Sequence, residues 1–568
     1  MNKRQPIFAV CAVSAIVLTM VAGCSPDFHK ADADKEVYKI IDAKWQDNFG
    51  QKANYVISDA NTISTPNDVN VAKAPVFEEP LTLAQAVAIA TKYNRDYQFQ
   101  KEELYLQALA LTGERYKYAL KWFGTIDAEY NKNAVSPGNT IIESPENKTI
   151  KAESGVEKTF ITPDGILLNT SLVFDWTRFI TGDTRTTLSG VLSGTLDIPL
   201  LGKGAGKTAW ENLTQTERNV LYQIRTFNRY RQTFVVDTIN AYYGVLQQRD
   251  GVTNAKNNWN SSVEYRKQAE MEAKTGRTAP YEVDQARQRE LSAYDSYVIT
   301  LQLYEQSLDS FKIRLSLPVN TPLELDQNEL RALQNYGTTA PQYSIDDAIE
   351  TALSCRLDLV NSADAVDDAQ RKVKLASEGL GPQLDLTGSA NVNSQGNEHI
   401  DNFQFHRGTY NWGLSADLPF DRKNQRNTYR QALITLERQQ RAYSQSVDSV
   451  VQDVRQAYRQ LMATAEQFIT QKKSLAIAEE RVKNMPLLLK SGRAKTRDLL
   501  DAQDSLLLAQ NNLTSALVGH TIAKLSFYRD VGILQVKPDG MWTQSETSVS
   551  RDQTNDREQS KQSSEGNL

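Results

Sequence analysis

Seven apolar residues, Val447, Val454, Leu461, Phe468, Leu475, Val482 and Leu489, follow one another at steps of seven. Three positions on from each of the first six, Val450, Ala457, Thr464, Gln471, Ala478 and Met485 form a weaker second row. Two such rows make a heptad seam, and a helix carrying one needs a partner along its length. At about 1.5 Å per residue the seam runs roughly 60 Å. Beyond Gly492 a return helix is predicted, with Leu499, Leu506, Leu513 and Phe527 in one row. Its second row is all alanine, Ala502, Ala509, Ala516 and Ala523, which lets two helices approach closely.

The same layout is present earlier in the chain. Thr82 and Gln85 have capping-box spacing at the start of an apolar stripe that reaches about Lys121. A second helical region runs from Gly206 to about Lys274, Gly276 interrupts it, and a return helix ends at Pro318 and Pro322. In the second half Ser344 begins the matching helix, with Ile345, Ala348 and Ala352 placed like Leu83, Ala86 and Ala90. Gly206 to Gly276 and Arg422 to Gly492 both span 70 residues. The repeat predicts two antiparallel helical hairpins, each roughly 100 Å long.

Between the helices the period changes. Trp122–Tyr130, Val156–Ile161, Gly165–Trp176 and Thr187–Leu200 are rich in β-branched and aromatic residues. Ser136-Pro137-Gly138, Pro163-Asp164-Gly165 and Thr181-Gly182-Asp183 separate them as turns. Leu384–Val392 and Trp412–Phe420 recur in the second half, where Pro419 ends its segment as Pro199 ends its counterpart. Runs of this length suit tilted membrane strands. With four core strands expected from each chain, closure into a barrel requires several copies.

Composition narrows the class. A net charge of −5 argues against nucleic acid or an acidic ligand as partner. No internal apolar run approaches the ~18 residues of a spanning helix, so a membrane crossing must use strands. The N-terminus has a secretory layout: Lys3 and Arg4, an apolar stretch from Ile7 to Val21, then Ala22-Gly23-Cys24. Small residues set directly before Cys24 resemble a bacterial lipoprotein box, with Cys24 as the lipidated first residue. Ser25 follows where aspartate is the inner-membrane retention signal, which favours the outer membrane. Cys11 falls in the signal, and Cys355 is expected to be a small buried hydrophobe.

The layout over residues 81–535 resembles the TolC family of outer-membrane efflux channels. Asp197-Ile198-Pro199-Leu200-Leu201-Gly202 looks like its strand-ending Pro-Leu-Leu motif. Gly276 through Tyr281, Glu282 and Ala286, and Gly492 through Asp498, Asp501 and Ala502, look like its two periplasmic turns. The resemblance implies a mainly α fold with a membrane β-barrel portion. Three chains would form a twelve-stranded barrel continued by a periplasmic α-helical coiled-coil barrel, meeting an adaptor protein and an inner-membrane pump. It also implies that Asp498 and Asp501 ring the periplasmic aperture, and at i, i+3 they do share one helix face. The basic groups near the turn, Arg493, Lys495 and Arg497, are candidates to link with Tyr281 or Glu282.

The domain reading is a lipoprotein signal peptide at 1–23, an arm or linker at 24–80, a first efflux repeat at 81–322 and a linker at 323–342. The second repeat takes 343–534, and 535–568 is expected to be a disordered tail. The expected function is the outer-membrane exit duct of a tripartite efflux or type I secretion system, passively conducting substrates; the alternative is a lipid-anchored coiled-coil scaffold without a pore. The strand pairs argue against the scaffold, which has no need of them.

Other motifs carry less. Gly202–Thr208 looks like a phosphate loop, but Leu201 stands where its first glycine belongs, and a strand-to-helix bend is expected instead. His29, His399, His406 and His520 are scattered; His520, in the leucine row of the last helix, is expected to be a packed, hydrogen-bonded core residue. No catalytic constellation stands out, and no metal or cofactor is expected.

Overall fold

The computed structural model describes residues 25–46, 49, 52, 55–57, 79–131, 147–180, 186–202, 204–276, 278–336, 344–395, 401–418, 420–491, 493–537 and 542–544. They fall into two compact units, each drawn from separated stretches of chain. The first takes stretches within Met1–Trp45, Lys101–Phe227 and Asp358–Ser446; the second takes the remainder. Cys24, Gly492 and Pro419 lie outside the described residues, as do the signal segment and the turns at 136–138 and 181–183.

A six-stranded antiparallel sheet fills much of the first unit, its strands lying side by side in sequence order. They are β1 (Leu120–Asn131), β2 (Asn147–Ile161), β3 (Leu167–Phe179), β4 (Thr186–Leu201), β5 (Gln383–Asn393) and β6 (Thr409–Asp417). The expectation of four core strands is therefore corrected to six. β2 begins nine residues before the segment legible at Val156, because Asn147–Ser154 is almost wholly polar. The same unit also holds α1 (Pro26–Lys44), most of α3 (Arg95–Tyr116), the start of α4 (Gly204–Lys274), α8 (Leu357–Glu378) and the start of α9 (Lys423–Lys490).

The segment after Cys24, taken as an arm, is helical from its second residue. Ser25 caps it, accepting from Phe28 N at 3.3 Å, and Pro26 occupies the first turn. Val37, Ile40 and Ile41 form its buried stripe. Tyr105 of α3 donates to Asp34 at 2.8 Å, and Lys44 pairs with Glu217 of α4 at 3.5 Å.

The second unit holds α2 (Leu83–Tyr93), the rest of α4 and α9, and their return helices α5 (Pro280–Arg314) and α10 (Thr496–Val531). α4 is 71 residues long and α9 is 68, as the repeat spacing predicts. The Thr82–Gln85 capping box is present at the start of α2. The linker contains α6 (Asn328–Tyr336), and Leu81 bridges to Leu325 beside it. α7 (Ile345–Cys355) follows Ser344. Of the heptad seam, Val450, Val454, Ala457, Leu461, Thr464, Phe468 and Ala478 are buried.

Two further expectations need correction. Cys355 is exposed at the end of α7, because the buried face passes through Ala348 and Ala352 to Arg356, which pairs with Asp453 at 2.9 Å. The tail is ordered at its start: β7 (Leu534–Val536) pairs with β8 (Trp542–Gln544). Arg231 of α4 donates to Val536 O at 3.0 Å and Gln232 to Leu534 O at 2.8 Å, satisfying carbonyls on the short ribbon.

Candidate pore site

The sheet sorts its side chains by face. Trp122, Val156, Leu172, Leu192 and Val392 lie opposite one another across five strands, forming an apolar row. Three residues away along β1, the row Thr125, Glu153, Asp175 and Ser189 points to the other face and is polar. The segregation holds in outline across all six strands, with Phe123, Val173 and Val191 on the polar face and Arg178 on the apolar one as exceptions. Every Asp and Glu of the strands lies on the polar face, where Lys121 pairs with Glu157 at 3.1 Å and Lys151 lies 3.7 Å from Glu129. Lys148 and Lys158 fall on the apolar face, over the rings of Tyr130 and Phe160.

On the apolar face Trp122 is 77% exposed, Trp412 69% and Leu414 64%. Among the described residues no side chain on this face except Val392 is buried, and such an apolar face backed by a polar one is the pattern of a membrane barrel wall. β1 and β6 have no strand partner on their outer edges among the described residues, and an open edge seeks another chain or closure.

The strand-to-helix motif shapes the end of β4. Pro199 sits at a register break against β5, where a missing N–H is tolerated. Leu200 and Leu201 are exposed, and Gly202 takes φ +88, turning the chain toward α4. Gly206, in the first turn of α4, lies so close to the backbone of Gly165 that a β-carbon there would collide with its carbonyl. Lys207, next in line, donates to Gly202 O at 3.3 Å and pairs with Glu378 at 3.0 Å. The glycine run is thus occupied in making the bend.

The helix tips lie in the second unit. Gly276 takes φ +73 after α4, and Tyr281 and Glu282 open α5. Tyr265, Ala269, Ala286, Leu499 and Leu500 form a buried cluster joining the two hairpins, with Val283, Met485 and Leu489 packed on it. Glu282 accepts from Thr496 at 2.8 Å and from Tyr281 at 3.2 Å, so its cross-hairpin partner is a hydroxyl rather than one of the three basic candidates. Arg493 and Lys495 are exposed. Asp498 accepts from the Lys495 N–H at 2.9 Å and so caps α10; half-buried, it favours the helix start. Asp501 is exposed and lies 3.9 Å from Arg497. Sequence reading missed Arg289 of α5, which pairs with Asp504 and feels the charge of Asp501. Burial, the larger influence, holds the pKa of Arg289 below its ordinary value.

His520 is buried as expected, its Nδ1 lying 3.4 Å from Thr464 Oγ1. Burial, aided by the charge of Lys524, lowers its pKa against a backbone hydrogen bond at Leu461.

Residues 348–529 match the family model described as outer membrane efflux protein. Outer membrane protein TolC of Escherichia coli (strain K12) is 24% identical over 339 residues, which are 57% of this chain. That match spans 66% of the relative's length, just under two thirds. The fold is similar to the Campylobacter jejuni CmeC outer membrane channel, with TM-score 0.55 and 16% identity over 84% of this chain and 89% of the other. It is also similar to the open state of the Neisseria gonorrhoeae MtrE outer membrane channel, with TM-score 0.54 and 15% identity over 79% and 88%.

Proposed function

We propose that this chain, TolC-like in sequence and in fold, is the outer-membrane exit duct of a tripartite efflux or type I secretion system. It conducts substrates passively and performs no chemistry. The observation that carries this reading is the uncovered apolar face of the six-stranded sheet, with a polar face behind it and an open edge on either side. Lipid would cover the first face, water the second, and further copies of the chain the edges. A homotrimer, lipid-anchored through Cys24 and extending into the periplasm, accounts for these features together. An adaptor protein and an inner-membrane pump would supply cargo and energy. At the periplasmic aperture Asp498 and Asp501 would bring six carboxylates around the axis of three chains, with Arg497 and Arg289 tempering Asp501 and the Glu282–Thr496 link holding the two tips together. A pore-less scaffold leaves the apolar face without an occupant.

The test is ion conductance of the purified full chain in planar bilayers. Discrete channels are expected, with larger openings after Asp498→Ala and Asp501→Ala. A purified oligomer that stays silent in both forms would sink the reading.

A further inference from the structure

We propose that all six strands of each chain enter the pore wall, making an exit both wider than a four-strand contribution allows and suited to bulky, positively charged, hydrated cargo of the class of a basic polypeptide. This rests on the exit-duct reading.

The two repeats differ in their membrane portions. Between α3 and α4 the chain has residues 117–203, about twice the stretch at 379–422 between α8 and α9. The surplus is an internal hairpin, β2–β3. It is not an appendage. β2 pairs with β1 from Lys158 to Asn147 and with β3 from Ile161 to Thr149, so it is hydrogen-bonded along both sides. β3 continues the same ladder into β4. Removing the hairpin from the wall would break two full ladders and leave β1 detached from β4.

The hairpin's turn is also built into the base of the sheet. Gly165 N donates to Thr162 O at 2.9 Å, closing the turn, and Gly165 then meets Gly206 of α4 in backbone contact. On its apolar face β2–β3 presents Val156, Phe160, Leu172 and Trp176, continuing the belt that Trp122 and Trp412 present at the two edge strands. A hairpin lying outside the barrel in water would not need that face. Three copies then bring eighteen strands rather than twelve. Barrel diameter grows roughly in proportion to strand number, so the bore is about half again as wide.

The polar face supplies selectivity. It carries eight carboxylates, two on each of β1 and β2 and one on each other strand, against the ammonium groups of Lys121 and Lys151. A lumen of one dominant sign concentrates counter-charged solutes.

Cysteine cross-linking of the full chain in membranes, in a Cys355→Ser background, decides the width. Asn411→Cys on β6 is combined with Thr125→Cys on β1 or with Ser171→Cys on β3, and a short bifunctional maleimide is added. The six-strand wall predicts covalent ladders up to the closed oligomer for the β1–β6 pair and none for β3–β6. Ladders for β3–β6 alone mean that β1 and β2 stay outside. An intrachain cross-link between Thr125→Cys and Ser189→Cys, which lie three strands apart in the six-strand sheet and about 14 Å from each other, means that β2–β3 is extruded and β1 meets β4. Either result overturns the inference and leaves the duct standing. No inter-chain product with either pair removes the closed barrel, and both readings fall. For the charge, conducting channels are held in a salt gradient and given polylysine or polyglutamate. Cation-selective reversal and current block by polylysine alone are expected, with block weakened severalfold in Glu153→Gln/Asp175→Asn. Equal block by both polymers, or anion selectivity, rules out basic cargo.

Discussion

Replacing Asp368 by asparagine tests the polar network that joins α8 to α4 in the first unit. The carboxylate accepts from Tyr222 OH at 2.7 Å and Gln215 Nε2 at 2.9 Å, and it meets Arg218 at 2.6 Å and Arg371 at 2.9 Å. Only 7% of its side chain is exposed. Burial alone would raise its pKa, but these hydrogen bonds and guanidinium groups outweigh it, and the carboxyl titrates below its ordinary value. The amide keeps the shape and removes the charge. Breaking a buried ion pair from one side costs about 3–5 kcal/mol. Arg218 and Arg371 keep second acids, Asp364 and Glu211, and are about a third exposed, so the lower end applies, about 3 kcal/mol. That is on the order of a 100-fold rise in local opening. Hydrogen exchange of amides in α8 and the facing turns of α4 reads this directly. Tyr222→Phe, which removes one hydrogen bond, should cost about 1 kcal/mol, roughly fivefold. Because the folded pKa lies below the unfolded one, the contribution is complete above about pH 4 and fades as pH falls below it. Exchange in Asp368→Asn within about threefold of the parent at neutral pH would refute the network as described.

His520 gives a second acid-side signal at a higher pH than Asp368. Its folded pKa is lowered, so below its ordinary value near 6.5 the unfolded chain binds the extra proton and stability falls as pH falls; the acid-side slope of α10 exchange should flatten in His520→Gln. Gly206→Ala forces a β-carbon onto the Gly165 carbonyl, an overpacking of about 1–3 kcal/mol, so the midpoint for thermal loss of the sheet signal should drop by several degrees. Asp498→Ala should expose both consequences of its position: faster exchange in the first turn of α10, from loss of a cap worth about 1 kcal/mol, and weaker block of current by divalent cations. Asp501→Ala should change only the block.

Much of the fold was legible because its strongest constraints are local and periodic. The heptad seam and the two 70-residue spacings fixed α4 and α9 almost to the residue. α1 escaped notice because only Val37, Ile40 and Ile41 are buried in an otherwise charged helix; its signal was the Ser25-Pro26 start. The β7–β8 ribbon depends on Arg231 and Gln232, some 300 residues away, which no local pattern reports. The first half of β2 has few apolar residues because its polar face bears Glu153 and Lys151 and its other face ends in Lys148. At the tips, the aspartates were read from the turns, whereas the Glu282–Thr496 and Arg289–Asp504 links join helices over 200 residues apart in sequence. The basic residues nearest Gly492 in sequence were therefore poor guides to the partner of Glu282.

The central claim is that one face of the sheet lies in lipid and the other in water. Nitroxide labels placed singly along β1 and β6 of the full chain in bilayers measure this directly, through relaxation by oxygen and by a polar nickel chelate. Labels at Ile126 and Leu414 should be oxygen-accessible, and labels at Thr125 and Gly413 should be chelate-accessible, alternating with a period of two along each strand. Chelate access at every position, with no alternation, would contradict the account.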